Sequence, residues 1–317
     1  MSTYLLYTDS AADIPSHYYQ EYDIRIVAMD YMVDGESCTF LTEDPDHDPI
    51  CDRHYEKMRS GADVHTSQIT PYRYIETWTP ELKAGHDILY LSFSSGMSAT
   101  YQNALNAASQ LADEFPDRRI AVVDSLAATA GQGVITVCAA MNRQNGMTLD
   151  ENAAWLKEKI PYLCHRFTVG DLDYLHKGGR VSAAVALIGG MLNIKPLLII
   201  DEDGKLQMTG KARGVNSALK ALTHSYQHEM HAPGVPDLVF ISHTSKYEKA
   251  EELARMIREA DPDAQWKPSA RRRSSASIPG PSFSRSAASA GTAPRANLKA
   301  RLKDFTFSSL VFPLSGR

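Results

Sequence analysis

Hydroxyls, rather than an acid–base pair, carry the chemistry this chain advertises. The segment Leu91–Tyr101, LSFSSGMSATY, is a hydroxyl-crowded turn that holds Ser94, Ser95 and Ser98 between an apolar run and a helical pattern. Ser98 stands where an N-cap belongs, and there a hydroxyl accepts from the first free amides of a helix. Those amides and the helix dipole suit a small anion, a carboxylate or a phosphate. A plain cap and turn explain the same residues, so this segment alone leaves both readings open. A second cluster, His65-Thr66-Ser67-Gln68-Ile69-Thr70-Pro71, precedes a proline suited to the first turn of a helix. Here too a Ser or Thr cap is the plainer alternative. Two such helix openings, with no acid, base or metal ligand beside them, fit an anion that is held rather than cleaved.

The elements that must position these loops read as follows. Tyr4–Tyr7, Ile24–Met29, Ile88–Phe93 and Ile120–Val123 are expected strands, and Tyr55–Arg59, Pro71–Leu82, Ala99–Phe115 and Ala127–Asn145 expected helices. Apolar strands alternating with helices predict an α/β fold with a parallel sheet covered on both faces. Ligands of such sheets lie beyond the carboxyl ends of the strands. Thr8-Asp9-Ser10, Ser92–Ser95 and Asp124-Ser125 follow three of those ends and can converge on one crevice, with Thr66 arriving from another loop. A helix over Leu149–Leu163 leads out. Beyond it, Leu197–Ile200 and Leu206–Thr209 around Asp203-Gly204 predict a hairpin. Helix Val215–Met230, strand Leu238–Ser242 and helix Lys246–Ala260 complete an α+β domain. The division is an N-terminal α/β/α domain at 1–164, a C-terminal α+β domain at 165–267, and a tail at 268–317, with the ligand between the two domains.

At 317 residues, 43% hydrophobic and 22% charged, the chain suits a globular protein of two domains. No secretory leader is evident, and the longest apolar run, Val181–Ile194, is too short to span a bilayer, so the expected location is cytoplasmic. Cys38, Cys51, Cys138 and Cys164 show no metal spacing and read as reduced thiols. Asp44, Asp46, His47 and Asp48 lack the glycine and distal glutamate of a calcium loop. Neither metal nor cofactor is expected. Residues 1–267 carry a formal charge of about −13 and 268–317 about +8, within the −5 of the whole chain. An acidic body argues against a nucleic-acid partner.

Taken in order, YTDSAADIP at 7–15, TSQITP at 66–71, SSGMSATYQ at 94–102, VVDS at 122–125, DLDYLHKGGRVS at 171–182, GGMLNIKPLL at 189–198, KARG at 211–214 and the lone His243 form a pattern. Over residues 4–262 it resembles the DegV family, the bacterial fatty-acid-binding subunits of the fatty acid kinase system. The resemblance implies a long-chain fatty acid with its tail buried between two domains. It also implies a separate ATP-dependent kinase that phosphorylates the carboxylate, the binding subunit itself being non-catalytic. In the family, the Thr of the TSQ motif and the Ser before Gly-Thr-Tyr contact the carboxylate; here those are Thr66 and Ser98, with Ser67 and Ser95 beside them and Ala99 replacing the family's glycine. The chain has no GxxxxGK[ST] and no strand-linked GxGxxG, in keeping with that division of labour.

Neutral hydroxyls hold a carboxylate without adding a buried cation that must itself be solvated. Leu187, Ile188, Met191 and Ile194, beside small Ala183, Ala184, Gly189 and Gly190, are the expected tunnel wall, with a core helix as the alternative. Arg180, Arg213 and His243 are candidates for the carboxylate network or for partner docking, against surface ion pairs or a backbone-satisfied histidine. The rival function is a serine hydrolase using Ser95 or Ser98, which needs a base and an oxyanion hole; no G-x-S-x-G elbow is present. The tail departs from the family: its closing His-x-Gly-Pro-Gly motif is missing, Ser, Ala, Arg, Pro and Gly dominate 268–297, and the whole of 268–317 reads as a disordered basic tail. The hypothesis is a reading-frame shift near codon 267. Resequencing the gene should find it, and an intact frame would sink it.

Overall fold

The computed structural model describes residues 4–40, 57, 60–170, 172–182, 193–229, 238–243, 247–260 and 308–313. In chain order the first lobe runs β1 (Tyr4–Asp9), α1 (Ser16–Glu21), β2 (Ile24–Val27), β3 (Met29–Val33), β4 (Glu36–Phe40), β5 (Val64–Thr66), α2 (Pro71–Lys83), β6 (Asp87–Ser92), α3 (Thr100–Glu114), β7 (Ile120–Asp124), α4 (Thr129–Gln144) and α5 (Leu149–Lys159). The second runs β8 (Leu163–Thr168), α6 (Asp173–Lys177), β9 (Ile194–Ile200), β10 (Leu206–Arg213), α7 (Val215–Glu229), β11 (Phe240–His243), α8 (Tyr247–Ala260) and β12 (Ser308–Pro313).

The first lobe is built on a parallel sheet in the order β2-β1-β6-β7. Side chains alternate along β1. Leu5 and Tyr7 join Tyr74, Trp78, Tyr90 and Leu111 on one face, while Tyr4 and Leu6 join Leu91, Val134 and Ile135 on the other. The second lobe holds an antiparallel sheet, β10-β9-β8-β12-β11, roofed by Leu219, Leu222 and Tyr226 of α7 and Leu253 and Ile257 of α8. This is the expected mixed α/β architecture.

Helix α4 joins the two lobes. Thr129 through Ala140 are all buried, because this small-residue helix is wedged between sheets. Val134 and Ile135 share one apolar cluster with Leu6 and Leu91 of the parallel sheet and Phe240 of β11. Gly131 allows the approach: a Cβ there would stand 1.9 Å from His165 Cε1 on β8. Burial pushes the His165 imidazole down to about 3. The ring therefore stays neutral beside a helix start, where the dipole disfavours a cation.

Several elements differ from the sequence reading. Ile24–Met29 is not one strand: Ser10 Oγ takes the Met29 amide at 2.8 Å, and the chain leaves the parallel sheet there to start β3. An antiparallel sheet, β4-β3-β5, then follows, and its Tyr31 and Val33 pack against Phe167, Leu172, Val181 and Leu198 of the second lobe. The helix expected over Leu149–Leu163 stops at Lys159; a 3-10 turn with Pro161 follows, and Leu163 already opens β8. Helix α3 runs from Thr100 to Glu114, inside the expected Ala99–Phe115, and buries Thr100, Ala104, Ala107 and Leu111. Ser308–Pro313 lies inside the stretch read as a disordered tail, yet it pairs with β8 over Ser308–Pro313 and with β11 over Ser308–Val311. The helix expected at Tyr55–Arg59, the acidic loop at 44–48 and tunnel positions 183–192 fall wholly or largely outside the described residues.

Alanine is the better helix former by about 1 kcal/mol, but overpacking a rigid contact costs about 1–3 kcal/mol. Gly131→Ala should therefore lower the urea midpoint of unfolding; an equal or higher midpoint would show that α4 shifts freely off the second sheet.

Candidate functional site

The two hydroxyl-rich loops meet. The Ile69 amide donates to Thr100 Oγ1 at 3.4 Å, and Asn103 Nδ2 donates to Ile69 O at 2.8 Å. These bonds tie the segment after β5 to the start of α3. Thr70 caps α2, its hydroxyl accepting from the Arg73 amide, with Pro71 in the first turn, as the second cluster predicted. The cap of α3 differs from expectation. Ser98 lies one residue ahead of the formal cap, Ala99, which makes no side-chain cap bond. Ser98 Oγ instead accepts from Thr100 N at 3.2 Å, two residues on, and sits 2.9 Å from Thr100 Oγ1.

Beneath this loop lies a buried carboxylate. Asp9 Oδ2 accepts from the Phe93 amide and from Tyr90 OH, both at 2.9 Å, and Oδ1 accepts from the Ala11 amide at 3.0 Å. Tyr90 OH is 2.7 Å from Tyr74 OH, which donates to Thr100 O at 3.4 Å. Burial pushes the Asp9 carboxyl up, while the Phe93 amide and the other donors pull it back. Burial, and then the charge of Asp9, pushes both tyrosines well up. One charge thus holds the loop at its first residue, Phe93, and through two tyrosines at Thr100. The other strand ends join it: Ser95 N donates to Asp124 Oδ1 at 3.2 Å, and Ser125 Oγ donates to Ser92 O at 2.6 Å. Three polar turns do converge, but Thr8, Asp9, Ser10 and Ser125 are spent on the scaffold and fully buried.

The second lobe touches the same loop. Ser94 Oγ donates to Gly204 O at 2.7 Å, and a Cβ on Gly96 would stand 2.3 Å from Asp203 O. The β9–β10 turn therefore rests on the Ser94–Ser98 loop. Arg180 Nε donates to Met97 O at 3.2 Å, and its NH1 donates to Gly178 O. Burial lowers its pKa from the usual guanidinium value, and no carboxylate pairs with it among the described residues.

The other candidates are placed as follows. Thr66 ends β5 opposite Tyr31 and is half-buried. Ser67 is exposed, its amide donating to Asp30 O at 3.0 Å, and Ser95 is exposed on the loop. Ile194 and Arg213 face each other across the far end of the β9–β10 hairpin. At about 3.3 Å per residue that end is roughly 20 Å from the Gly204 turn, so Arg213, which is exposed, does not reach the Ser98 loop. His243 is buried at the end of β11, opposite Ser308. Leu187, Ile188 and Met191 lie outside the described residues. Sequence reasoning missed Thr100, Tyr74, Tyr90 and the Ser94–Gly204 contact. The hydroxyl two positions after Ser98 was the available signal for Thr100.

Among the described residues, no group of three or more His, Cys, Asp or Glu side chains could hold a metal ion, and no helix is long and apolar enough to cross a membrane. No hydrogen bond joins Ser95 or Ser98 to a histidine among them either. Fold and loops together define an α/β protein in which two hydroxyl-rich loops are bonded together, with no evident nucleophile–base pair among the described residues. The chain belongs to the DegV family: the family model described as "Uncharacterised protein, DegV family" matches residues 4–271. A DegV domain-containing protein of Clostridium perfringens is 37% identical over 262 residues, 83% of this chain and 89% of the relative. Among solved structures, a DegV lipid binding protein from Thermotoga maritima matches with a TM-score of 0.70 at 27% identity, over 82% of this chain and 88% of that one. The fatty acid binding DegV family protein from Streptococcus agalactiae gives 0.68 at 28% identity, over 82% and 89%.

Tyr90→Phe removes a donor from a buried carboxylate and should cost about 1–3 kcal/mol in chemical denaturation. Tyr74→Phe, which loses only the longer bond to Thr100 and the link to Tyr90, should cost less. The reverse order would show that Asp9 is not what the tyrosines serve.

Proposed function

We propose that this chain binds a long-chain fatty acid and presents its carboxylate to a separate ATP-dependent kinase. The observation that carries the reading is the pair of hydroxyl loops bonded together through Ile69, Thr100 and Asn103. Thr66 and Ser98 are the carboxylate donors, with Ser67 and Ser95 flanking them. The half-buried Arg180 beside Met97 supplies positive charge with no carboxylate paired to it among the described residues. The acyl tail lies among apolar side chains between the lobes, near the cluster of Tyr31, Phe167, Val181 and Leu198. Each methylene buried there contributes about 0.8 kcal/mol. The relatives described as lipid binding and fatty acid binding support the ligand class.

In the kinase step, a carboxylate oxygen attacks the γ-phosphorus of ATP held by the partner, giving acyl phosphate and ADP. Hydroxyls suit this role because they donate to one part of the carboxylate and leave oxygen lone pairs free. The assignment of the partner rests on the family resemblance. The site residues, the cytoplasmic location and the division at 164 and 267 belong to the same proposal.

Protein purified and extracted under denaturing conditions should release free long-chain fatty acid, read by mass spectrometry. Thr66→Ala and Ser98→Ala should each weaken binding of added palmitate about tenfold, and the double variant more. Protein that neither carries nor takes up fatty acid overturns the reading, and turnover of ester substrates would favour the hydrolase.

A further inference from the structure

Thr100 is fully buried, at 0% exposure, so no water meets its hydroxyl. Its Oγ1 accepts from the Ile69 amide, and its own proton needs an acceptor. Among the described residues the one hydrogen-bond acceptor in reach is Ser98 Oγ, 2.9 Å away. Ser98 Oγ also accepts from the Thr100 amide at 3.2 Å. Two donors therefore occupy both acceptor positions of the Ser98 oxygen, and only its O–H is left to give. Ser98, unlike Thr100, is partly exposed.

We propose that Thr100 is a positioning residue that makes Ser98 an obligate hydrogen-bond donor, so that the site takes a fatty acid with its carboxyl ionised. The inference rests on the fatty-acid reading above. A protonated carboxyl has to donate its own proton, and Ser98 offers it no lone pair. A carboxylate only accepts, and Ser98 only donates. The surroundings hold Thr100 in place: Tyr74 OH donates to its carbonyl at 3.4 Å, and Asn103 anchors Ile69 at 2.8 Å. Thr100 touches the ligand through Ser98 alone.

The test follows the carboxyl resonance of 1-13C-palmitic acid bound to the full-length protein as pH is varied. Hydrogen bonding to the charged form lowers a carboxyl pKa, so the wild type should titrate at a low midpoint. Thr100→Val should raise that midpoint by about one pH unit and weaken binding at neutral pH about tenfold. Thr100→Ser, which keeps the hydroxyl, should restore both. In a Ser98→Ala background Thr100→Val should move the midpoint no further, any added loss of affinity coming from the freed Ile69 amide. If the valine variant does not fold, Thr100→Cys, a weaker donor, should give a smaller shift in the same direction. An unmoved midpoint in a variant that still binds palmitic acid overturns the role of Thr100 and leaves the fatty-acid reading standing. A wild-type protein that takes up no palmitic acid overturns both.

Discussion

Asp9 is a carboxylate with no water around it, and such a charge has to be met by donors from the protein. Two backbone amides and one phenol meet it. Each of those donors belongs to a segment the site depends on. Ala11 begins the turn after β1, Phe93 begins the hydroxyl loop, and Tyr90 lies on β6 beneath it. The cost of leaving the charge unmet therefore becomes a constraint on the geometry of three segments. Tyr74 extends the constraint to Thr100 and so to the start of α3. The loop is fixed at Phe93 by its bond to the buried Asp9 carboxyl.

A site built this way handles its ligand's charge differently from its own. Asp9 receives dedicated donors and never faces the ligand. In the proposed site the ligand's carboxylate is left to hydroxyls and to the Arg180 guanidinium, whose hydrogen bonds go to the carbonyls of Met97 and Gly178. A cation paired with a protein carboxylate would have to give up that partner before it could neutralise another anion. Arg180 has no such partner among the described residues, so within them its charge remains available. Its half-buried setting makes that charge count for more than it would in open solvent.

Legibility in the sequence followed the range of the interactions. The parallel sheet and its helices were legible because apolar periodicity is local, and the Thr70-Pro71 helix opening because capping is local too. Thr66 and Ser98 entered through the resemblance to the family's motifs rather than through periodicity, and their role belongs to the proposal. What pairs residues across long separations was not legible. Nothing in the spacing says that Tyr90 donates to Asp9 with Tyr74 beside it, or that Gly204 closes on Ser94. The split of Ile24–Met29 depended on the Ser10 hydroxyl taking one amide nineteen residues away. Ser308–Pro313 was obscured for a different reason: the composition of its surroundings was averaged over a long window, and a six-residue strand is lost in such an average. Its SSLVFP run is strand-like when read alone.

That strand bears on the site although it is far from it in the chain. β12 is the element that joins β8 to β11. β8 carries His165, which rests on Gly131 of α4. β8 also pairs with β9, whose hairpin turn lies on Ser94 and Gly96. Removing β12 would leave β11 without a neighbour and open one side of β8, exposing backbone groups inside a sheet, which costs more than the loss of one edge strand. The effect would pass to α4 through the His165 contact and to the hydroxyl loop through the Gly204 turn. Headgroup geometry in the first lobe is thus coupled to sheet completion in the second. The glycines at 96, 131 and 204 are where that coupling is made, because at each of them a single Cβ would force the lobes apart.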